Sequence, residues 1–407
     1  MIMEFIEKKA KELYESSSGL SKPANQFGYG FPFLSYSDIF HNYYAPSELN
    51  TLVNSNEKDR KNCSIKRGDV FLTRTSETTD ELGLSCVALK DYPNATFNGF
   101  AKRLRPITDE IVPEYAAYYF RSPYFRAQCM SMASLITRAS LNDGMISRFR
   151  IRYPKLKEVQ TAIGDILMTY DNLIEVNNKR IKVLEQMAEN LYKEWFVRFR
   201  FPGHETAEFK NGIPKGWAYR RADEVIDFNP TLKTGNQTEF TIIPMEALST
   251  NSMVLDSSCF VRQDSISGRR SQNGDTLLAK ITPCLENGKT GFVMGMPENE
   301  VLGGSTEFVV MRSKALTPHY VYCIARSYYF RKTAILSMNG ADGRQRVDEE
   351  KLKSTKIVQP GKTVLDRFET IVTPIFDGVY QMVQENKNLM KQRNLLLPRL
   401  MSGKLEV

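Results

Sequence analysis

Gly68-Asp69-Val70-Phe71-Leu72-Thr73-Arg74 returns about 205 residues later as Gly274-Asp275-Thr276-Leu277-Leu278-Ala279-Lys280, and Arg121-Ser122 with Phe125-Arg126 returns as Arg326-Ser327 with Phe330-Arg331. Each copy joins a Gly-Asp turn signal to an apolar run of strand length, and a patch of helical periodicity follows. The chain therefore reads as an internal repeat of one mixed unit. A duplicated binding unit suits a two-part target.

Each copy closes on a heptad helix. In the first, Ile163, Leu167, Tyr170, Ile174, Asn177, Ile181, Leu184, Ala188, Leu191 and Trp195 step by alternating fours and threes, the a/d seam of a coiled coil. Adding 205 to each number gives Phe368, Val372, Ile375, Val379, Met382, Asn386, Leu389, Arg393, Leu396 and Leu400, of which only Arg393 departs from apolar residues plus one Asn. Two such stripes in one chain can bury each other, whereas a solitary one would be an exposed apolar liability. The expected fold class is α+β: two mixed domains separated by two long antiparallel coiled-coil helices, with a pseudo-twofold internal repeat.

If the helices are antiparallel, facing positions have residue numbers of constant sum, and pairing Ile163 with Leu400 sets that sum at 563. Asn177 then faces Asn386. A buried Asn pair fixes register, because a slip leaves both amides unsatisfied; the alternative is that both Asn mark solvated or frayed points. A seam from 163 to 195 spans about 50 Å, longer than one DNA turn of roughly 34–36 Å.

The 407 residues suffice for two ordinary domains plus the helices, and 42% hydrophobic residues can supply real cores. Fifty-five Lys and Arg against 47 Asp and Glu leave a net charge of +8, which favours a polyanionic partner. The six cysteines, at 63, 86, 129, 259, 284 and 323, have no short spacing; they read as reduced thiols rather than a disulfide framework or a zinc site. The N-terminus lacks an apolar signal core, and no stretch is long enough to cross a bilayer, so a soluble, cytoplasmic protein is expected.

Four blocks follow. Residues 1–155 combine an expected amphipathic helix from Glu4 to Tyr14 with β-type runs at Asp69 to Thr73 and Arg148 to Tyr153, and a helical patch from Pro113 to Met130. The block 156–200 carries the first long helix, stopped by Phe201-Pro202-Gly203. Residues 201–360 open on Asn211-Gly212-Ile213-Pro214-Lys215-Gly216-Trp217 and place β-type runs at 240–243, 276–281 and 307–311, with a helical patch from Tyr320 to Met338. The block 361–407 is the second long helix, which Pro398 ends or kinks.

The order of these blocks, together with Leu191-Tyr192-Lys193-Glu194-Trp195-Phe196, the opening Pro214-Lys215-Gly216-Trp217 and the closing Leu395-Leu396-Leu397-Pro398-Arg399-Leu400-Met401-Ser402-Gly403, resembles the DNA specificity subunit of type I restriction-modification enzymes. The resemblance spans the chain, except that the first domain lacks the Gly-Trp opening. It implies a non-catalytic protein. Residues 1–155 and 201–360 would be target recognition domains, each reading one half of an interrupted, asymmetric site on double-stranded DNA. The helices would be a spacer and the dock for two methyltransferase subunits, which restriction and translocase subunits then join. S-adenosylmethionine, ATP and magnesium would belong to those partners, with no cofactor on this chain and no membrane partner.

Catalytic signals are weak by comparison. Asp227-Phe228-Asn229-Pro230 lacks the second Pro and the aromatic that an adenine methyltransferase uses to stack a flipped base. Asn287-Gly288-Lys289-Thr290 has Pro283 where a phosphate loop needs Gly, so it reads as a polar turn. His41, His204 and His319 lack ligand-spaced neighbours and read as solvated or capping residues rather than metal ligands. A stand-alone DNA-modifying enzyme and a coiled-coil scaffold without a DNA role stay as the other function classes.

DNA contact is the remaining chemistry, and base edges are read by Arg, Lys, Asn and Gln with Ser and Thr assisting. Two loops recur. One follows the Gly-Asp strand, with Thr73, Arg74, Thr75 and Ser76 in the first copy and Lys280 and Thr282 in the second. The other precedes the last strand, with Thr137, Arg138, Ser140 and Asn142 against Arg344, Gln345 and Arg346. Arg269 and Arg270 form an unpaired third candidate. The bland reading of any one of these is a solvated side chain, and for Arg121, Arg126, Arg326 and Arg331 it is packing of the stem beside aromatic residues.

Overall fold

The Gly-Asp signal is a turn with the same chemistry in both copies. In the computed structural model, which describes all residues except 1–3, 77, 79–80, 133, 136–138 and 342, Gly68 and Gly274 have φ of 89° and 85°, values open to glycine without steric cost. Asp69 and Asp275 are buried, and each accepts the backbone N–H three residues earlier, from Lys66 at 2.7 Å and Gln272 at 2.8 Å. Each also takes two prongs from an arginine on the neighbouring strand: Arg105 Nε and Nη2 at 2.8 and 2.6 Å, Arg312 Nε and Nη2 at 2.8 and 2.7 Å. A buried carboxylate is tolerable only when paired in this way.

The chain divides into two compact units, one of Met1–Ile174 with Asn388–Val407 and the other of Glu175–Lys387. The sheet of the first orders its strands Tyr14–Ser18, Ala101–Pro106, Val70–Thr73 and Ser85–Val87, all antiparallel. That of the second runs Ile226–Phe228, Phe308–Ser313, Thr276–Ala279 and Thr290–Phe292, again antiparallel. Beside each sheet lies a two-strand ribbon, Phe5–Lys9 with Arg150–Pro154 and Ala218–Arg221 with Lys356–Gln359. Helices Pro113–Tyr119 and Pro123–Met132 cover the first sheet's core, as Pro318–Arg326 and Tyr328–Leu336 cover the second's. Helix and sheet are thus mixed throughout, an α+β fold.

The recurring arginines are structural. Arg121 donates from Nε to Ser85 O at 2.6 Å and from Nη2 to the carbonyls of Ile39, Phe40 and Asn42. Arg326 holds the carbonyls of Thr250 and Gly288. They hold loop carbonyls, so their guanidinium groups as well as their stems are engaged.

Two expectations are corrected. Glu4 to Tyr14 is not a helix: Phe5–Lys9 is a strand, Ala10–Leu13 a single turn, and Tyr14–Ser18 the first strand of the sheet. Ile6, Ala10 and Leu13 mimic helical spacing, but pairing with Arg150–Pro154 satisfies that backbone across the sheet and wins over the local pattern. Nor does Pro398 end the second helix, which runs unbroken from Lys362 to Ser402. A helix-interior proline costs roughly 3 kcal/mol; burial of Leu397, Leu400 and Met401 in the first unit's core outweighs it.

The first long helix spans Lys157–Tyr192 and continues as a π turn over Lys193–Val197. None of the twenty seam positions is exposed. In the second unit Asn177 Nδ2 donates to Asn386 Oδ1 at 3.0 Å, and the Trp195 and Phe368 rings lie 6.1 Å apart. Numbers rise on one helix as they fall on the other, so these segments are antiparallel, and both pairs have the sum 563. In the first unit the one irregular seam residue, Arg393, pairs with Asp171 and lies 4.7 Å over the Tyr43 ring. Among the described residues no helix is long and apolar enough to cross a membrane.

Candidate nucleic-acid interface

Two loops far apart in sequence meet at one edge of each unit. In the first, the Thr75–Ser76 strand pairs antiparallel with Ala139–Ser140, placing Thr75 opposite Ser140, and Leu141 N donates to Arg74 O at 2.8 Å. In the second, Ile281 bridges Arg346, Thr282 N donates to Gln345 O at 3.1 Å, and Val347 N donates to Lys280 O at 2.9 Å. Leu141 and Val347 are 206 residues apart, as are Arg74 and Lys280. The cause is that the buried Gly-Asp strand runs on past its sheet partners, and the second loop supplies the hydrogen bonds its extension lacks.

The side chains at these edges differ in what they offer. Thr73 is fully buried, its hydroxyl donating to Glu81 O at 2.9 Å and accepting from Leu84 N at 3.0 Å; it shapes the loop and has no face left for a ligand. Thr75 and Ser140 are half-buried at the edge, and Ser76 pairs through its backbone with Ala139. Arg74 is half-buried, and its Nε has no hydrogen-bond partner among the described residues. Asn142 caps the Asp143–Ile146 helix, its Oδ1 accepting from Met145 N at 2.9 Å. Thr137 and Arg138 lie outside the described residues.

In the second unit the cations are held by carboxylates that the sequence reading did not single out. Glu349 Oε1 accepts from Arg269 Nη2 at 2.9 Å and from Lys280 Nζ at 3.0 Å, while Oε2 accepts from Asn229 Nδ2 at 2.8 Å. Arg346 grips Glu307 with Nε at 3.0 Å and Nη2 at 2.7 Å, and this guanidinium holds the Glu307 carboxyl below the usual carboxylate range. Arg270 donates to Leu232 O. Thr282 and Gln345 are half-buried, and Arg344 is exposed. The repeat phase could have found one of the carboxylates: Asp143 lies 206 residues before Glu349, and each begins a short helix.

The remaining motifs resolve into structure. Asn229 Oδ1 accepts from Val310 N at 2.9 Å, so the Asp-Phe-Asn-Pro stretch anchors a strand. Asn287-Gly288-Lys289 is a turn closed by Gly288 N on Leu285 O. His204 Nδ1 sits 2.9 Å from Phe201 O at the helix end. His319 corrects the expectation of a solvated or capping ring: it is buried, 2.7 Å from Glu369 Oε1 and flanked by Phe292 and Phe376. Among the described residues no group of three His, Cys, Asp or Glu could hold a metal ion.

The second unit also has an open groove of about 1420 Å³ along the first long helix, lined by Ile181, Ala188, Tyr192, Phe196, Tyr322 and Tyr328 among others. Tyr328, Tyr329 and Leu336 stand exposed in the helix beside it, at 77%, 60% and 74%.

Comparison with known proteins places the chain. The type I restriction modification DNA specificity domain matches residues 3–186. The MjaIX type I restriction enzyme specificity subunit of Methanocaldococcus jannaschii is 24% identical over 415 residues, covering 98% of this chain and 93% of that one. The EcoAI specificity subunit of Escherichia coli is 25% identical over 272 residues, covering 64% and 45% respectively. The crystal structure of the S subunit of a type I restriction-modification system from M. genitalium shares the fold, with a TM-score of 0.59 at 11% identity over 98% of this chain and 96% of that one. The chain thus carries a match to the type I restriction modification DNA specificity domain over residues 3–186 and is similar along nearly its whole length to a type I restriction enzyme specificity subunit.

Proposed function

We propose that this chain is the DNA-reading subunit of a type I restriction-modification complex and carries no catalytic site. Residues 1–155 and 201–360 act as two target recognition domains related by a pseudo-twofold repeat, and each reads one half of a bipartite site. The helices of 156–200 and 361–407 form a coiled-coil spacer and the dock for two methyltransferase subunits, which restriction and translocase subunits join. S-adenosylmethionine, ATP and magnesium are bound by those partners, and the complex works in the cytoplasm. The observation that carries the reading is the meeting of the same two loops at one edge in both units, with Thr75 and Ser140 at one edge and Thr282 and Gln345 at the other. Equal scaffolds with unlike side chains suit two unlike half-sites, hence an asymmetric target. The groove beside Tyr328 supports the docking role. Long-read detection of methylated adenines in cells with and without this protein tests the reading: a bipartite motif with an unread gap is expected, and a continuous or palindromic motif contradicts it.

A further inference from the structure

Three donors from three separate segments converge on one carboxylate in the second unit. Arg269 comes from a loop, Lys280 from the end of the Gly-Asp strand and Asn229 from the turn after Ile226–Phe228, and all point at Glu349 within 3.0 Å. Lys280 is the most enclosed, with 13% of its side chain exposed, against 33% for Arg269 and 24% for Glu349. Such a fan of donors matches an acceptor-rich ligand, a phosphate or the O6 and N7 edge of guanine. Here its focus is already occupied by a negative charge that belongs to the chain.

The first unit also sets a carboxylate at the equivalent place, held by a different set of donors. Asp143 Oδ2 accepts from Lys102 Nζ at 2.8 Å and Oδ1 from Ser16 Oγ at 2.8 Å. Asp143 and Glu349 are 206 residues apart, the spacing that also separates Arg74 from Lys280. Lys280 and Lys102 are largely enclosed, with 13% and 6% of their side chains exposed, and a carboxylate set against such a lysine at the same position of both units points to a role at that edge.

Resting on the reading of this chain as a DNA-specificity subunit, we propose that Glu349, with Asp143 as its counterpart, is a specificity-determining guard: it repels phosphate and restrains Lys280 and Arg269. Backbone charge alone then cannot capture these donors. A correctly placed base edge and its flanking phosphates together displace the carboxylate, so non-cognate duplex is penalised more than cognate duplex. The guard trades overall affinity for discrimination.

The test uses the full chain assembled with its methyltransferase subunits, measuring affinity for a duplex carrying the mapped motif and for a scrambled duplex across a salt series. Glu349→Gln keeps the shape and removes the charge. It should bind the scrambled duplex more tightly, on the order of tenfold at low salt, steepen the log affinity against log salt slope by about one unit, and shrink the cognate-to-scrambled ratio. Glu349→Asp keeps the charge and should restore the wild-type slope, a rescue that a purely structural role would not follow. An unchanged slope and ratio in Glu349→Gln overturns the guard, as does equal weakening on both duplexes with Glu349→Asp no better. A wild-type complex with no preference between the duplexes would instead overturn the underlying reading of function, and the guard with it.

Discussion

Asn177 Nδ2 donates to Asn386 Oδ1 at 3.0 Å across the two long helices, and both side chains are at least 94% enclosed, with 5% and 6% of their surface exposed. The pair belongs to a wider polar layer, because Asn177 Nδ2 also reaches Glu385 Oε2 at 3.0 Å and Asn386 Nδ2 reaches Asn178 Oδ1 at 2.9 Å. The layer lies within a seam that is apolar elsewhere except at Arg393, so any shift of one helix past the other strands several amides at once.

Replacing one member should therefore cost more than replacing both. Asn177→Leu leaves Asn386 Oδ1 buried without that donor and is expected to lower stability by about 1–3 kcal/mol. The double variant Asn177→Leu with Asn386→Leu should recover most of the loss in a denaturant titration. Additive losses in the two single variants would show that the amides act independently.

The Gly-Asp turns make a second prediction. Asp275→Asn removes the charge that Arg312 grips with two prongs; because burial holds the Asp275 carboxyl above the usual range despite that grip, the expected loss is about 1–2 kcal/mol, from leaving the guanidinium without its counter-charge. Asp69→Asn should behave alike through Arg105. Unfolding curves within 0.5 kcal/mol of the parent, the size of an ordinary surface change, would show that the turns hold without the pair.

Glu185 predicts a pH effect. It accepts from Met253 N at 2.6 Å, and burial raises its carboxyl above the usual glutamate value. A raised folded-state value means the folded chain binds this proton more tightly than the unfolded chain, so ionisation weakens folding as pH rises from about 4.3 through the raised value. Glu185→Gln should then raise the melting temperature at neutral pH, with the gain vanishing below about pH 4. A gain that persists unchanged in acid would place its cause elsewhere.

Docking is checked at Tyr328 and Tyr329, which are exposed beside the groove. Changing both to Asp should weaken methyltransferase recruitment by roughly thirtyfold, equivalent to about 2 kcal/mol at an aromatic anchor, without moving the melting temperature. Undiminished recruitment by titration would locate the dock on another face.

The seam was legible because a heptad pattern is local and repeats often enough to leave one solution; the sum of 563 read from Ile163 and Leu400 is the sum at which Asn177 meets Asn386. The Gly-Asp strands were legible for the same reason, two copies of one signal. Phe5–Lys9 was not, because its strand exists only through a partner about 145 residues away. Thr73 fell among the candidate contacts because sequence cannot tell a loop hydroxyl facing water from one turned inward onto Glu81 and Leu84. Glu349 was not legible because its partners Asn229, Arg269 and Lys280 are distant in sequence and converge on it only in three dimensions.

The most direct test of two independent reading edges is methylation mapping of single substitutions at each. Ser140→Ala, at the Thr75 edge of the first unit, should relax sequence preference in one half of the methylated motif and leave the other half intact. Gln345→Ala, at the Thr282 edge of the second unit, should do the reverse. If either substitution altered both halves together, or if neither altered any base of the motif, the edges would not be the readers.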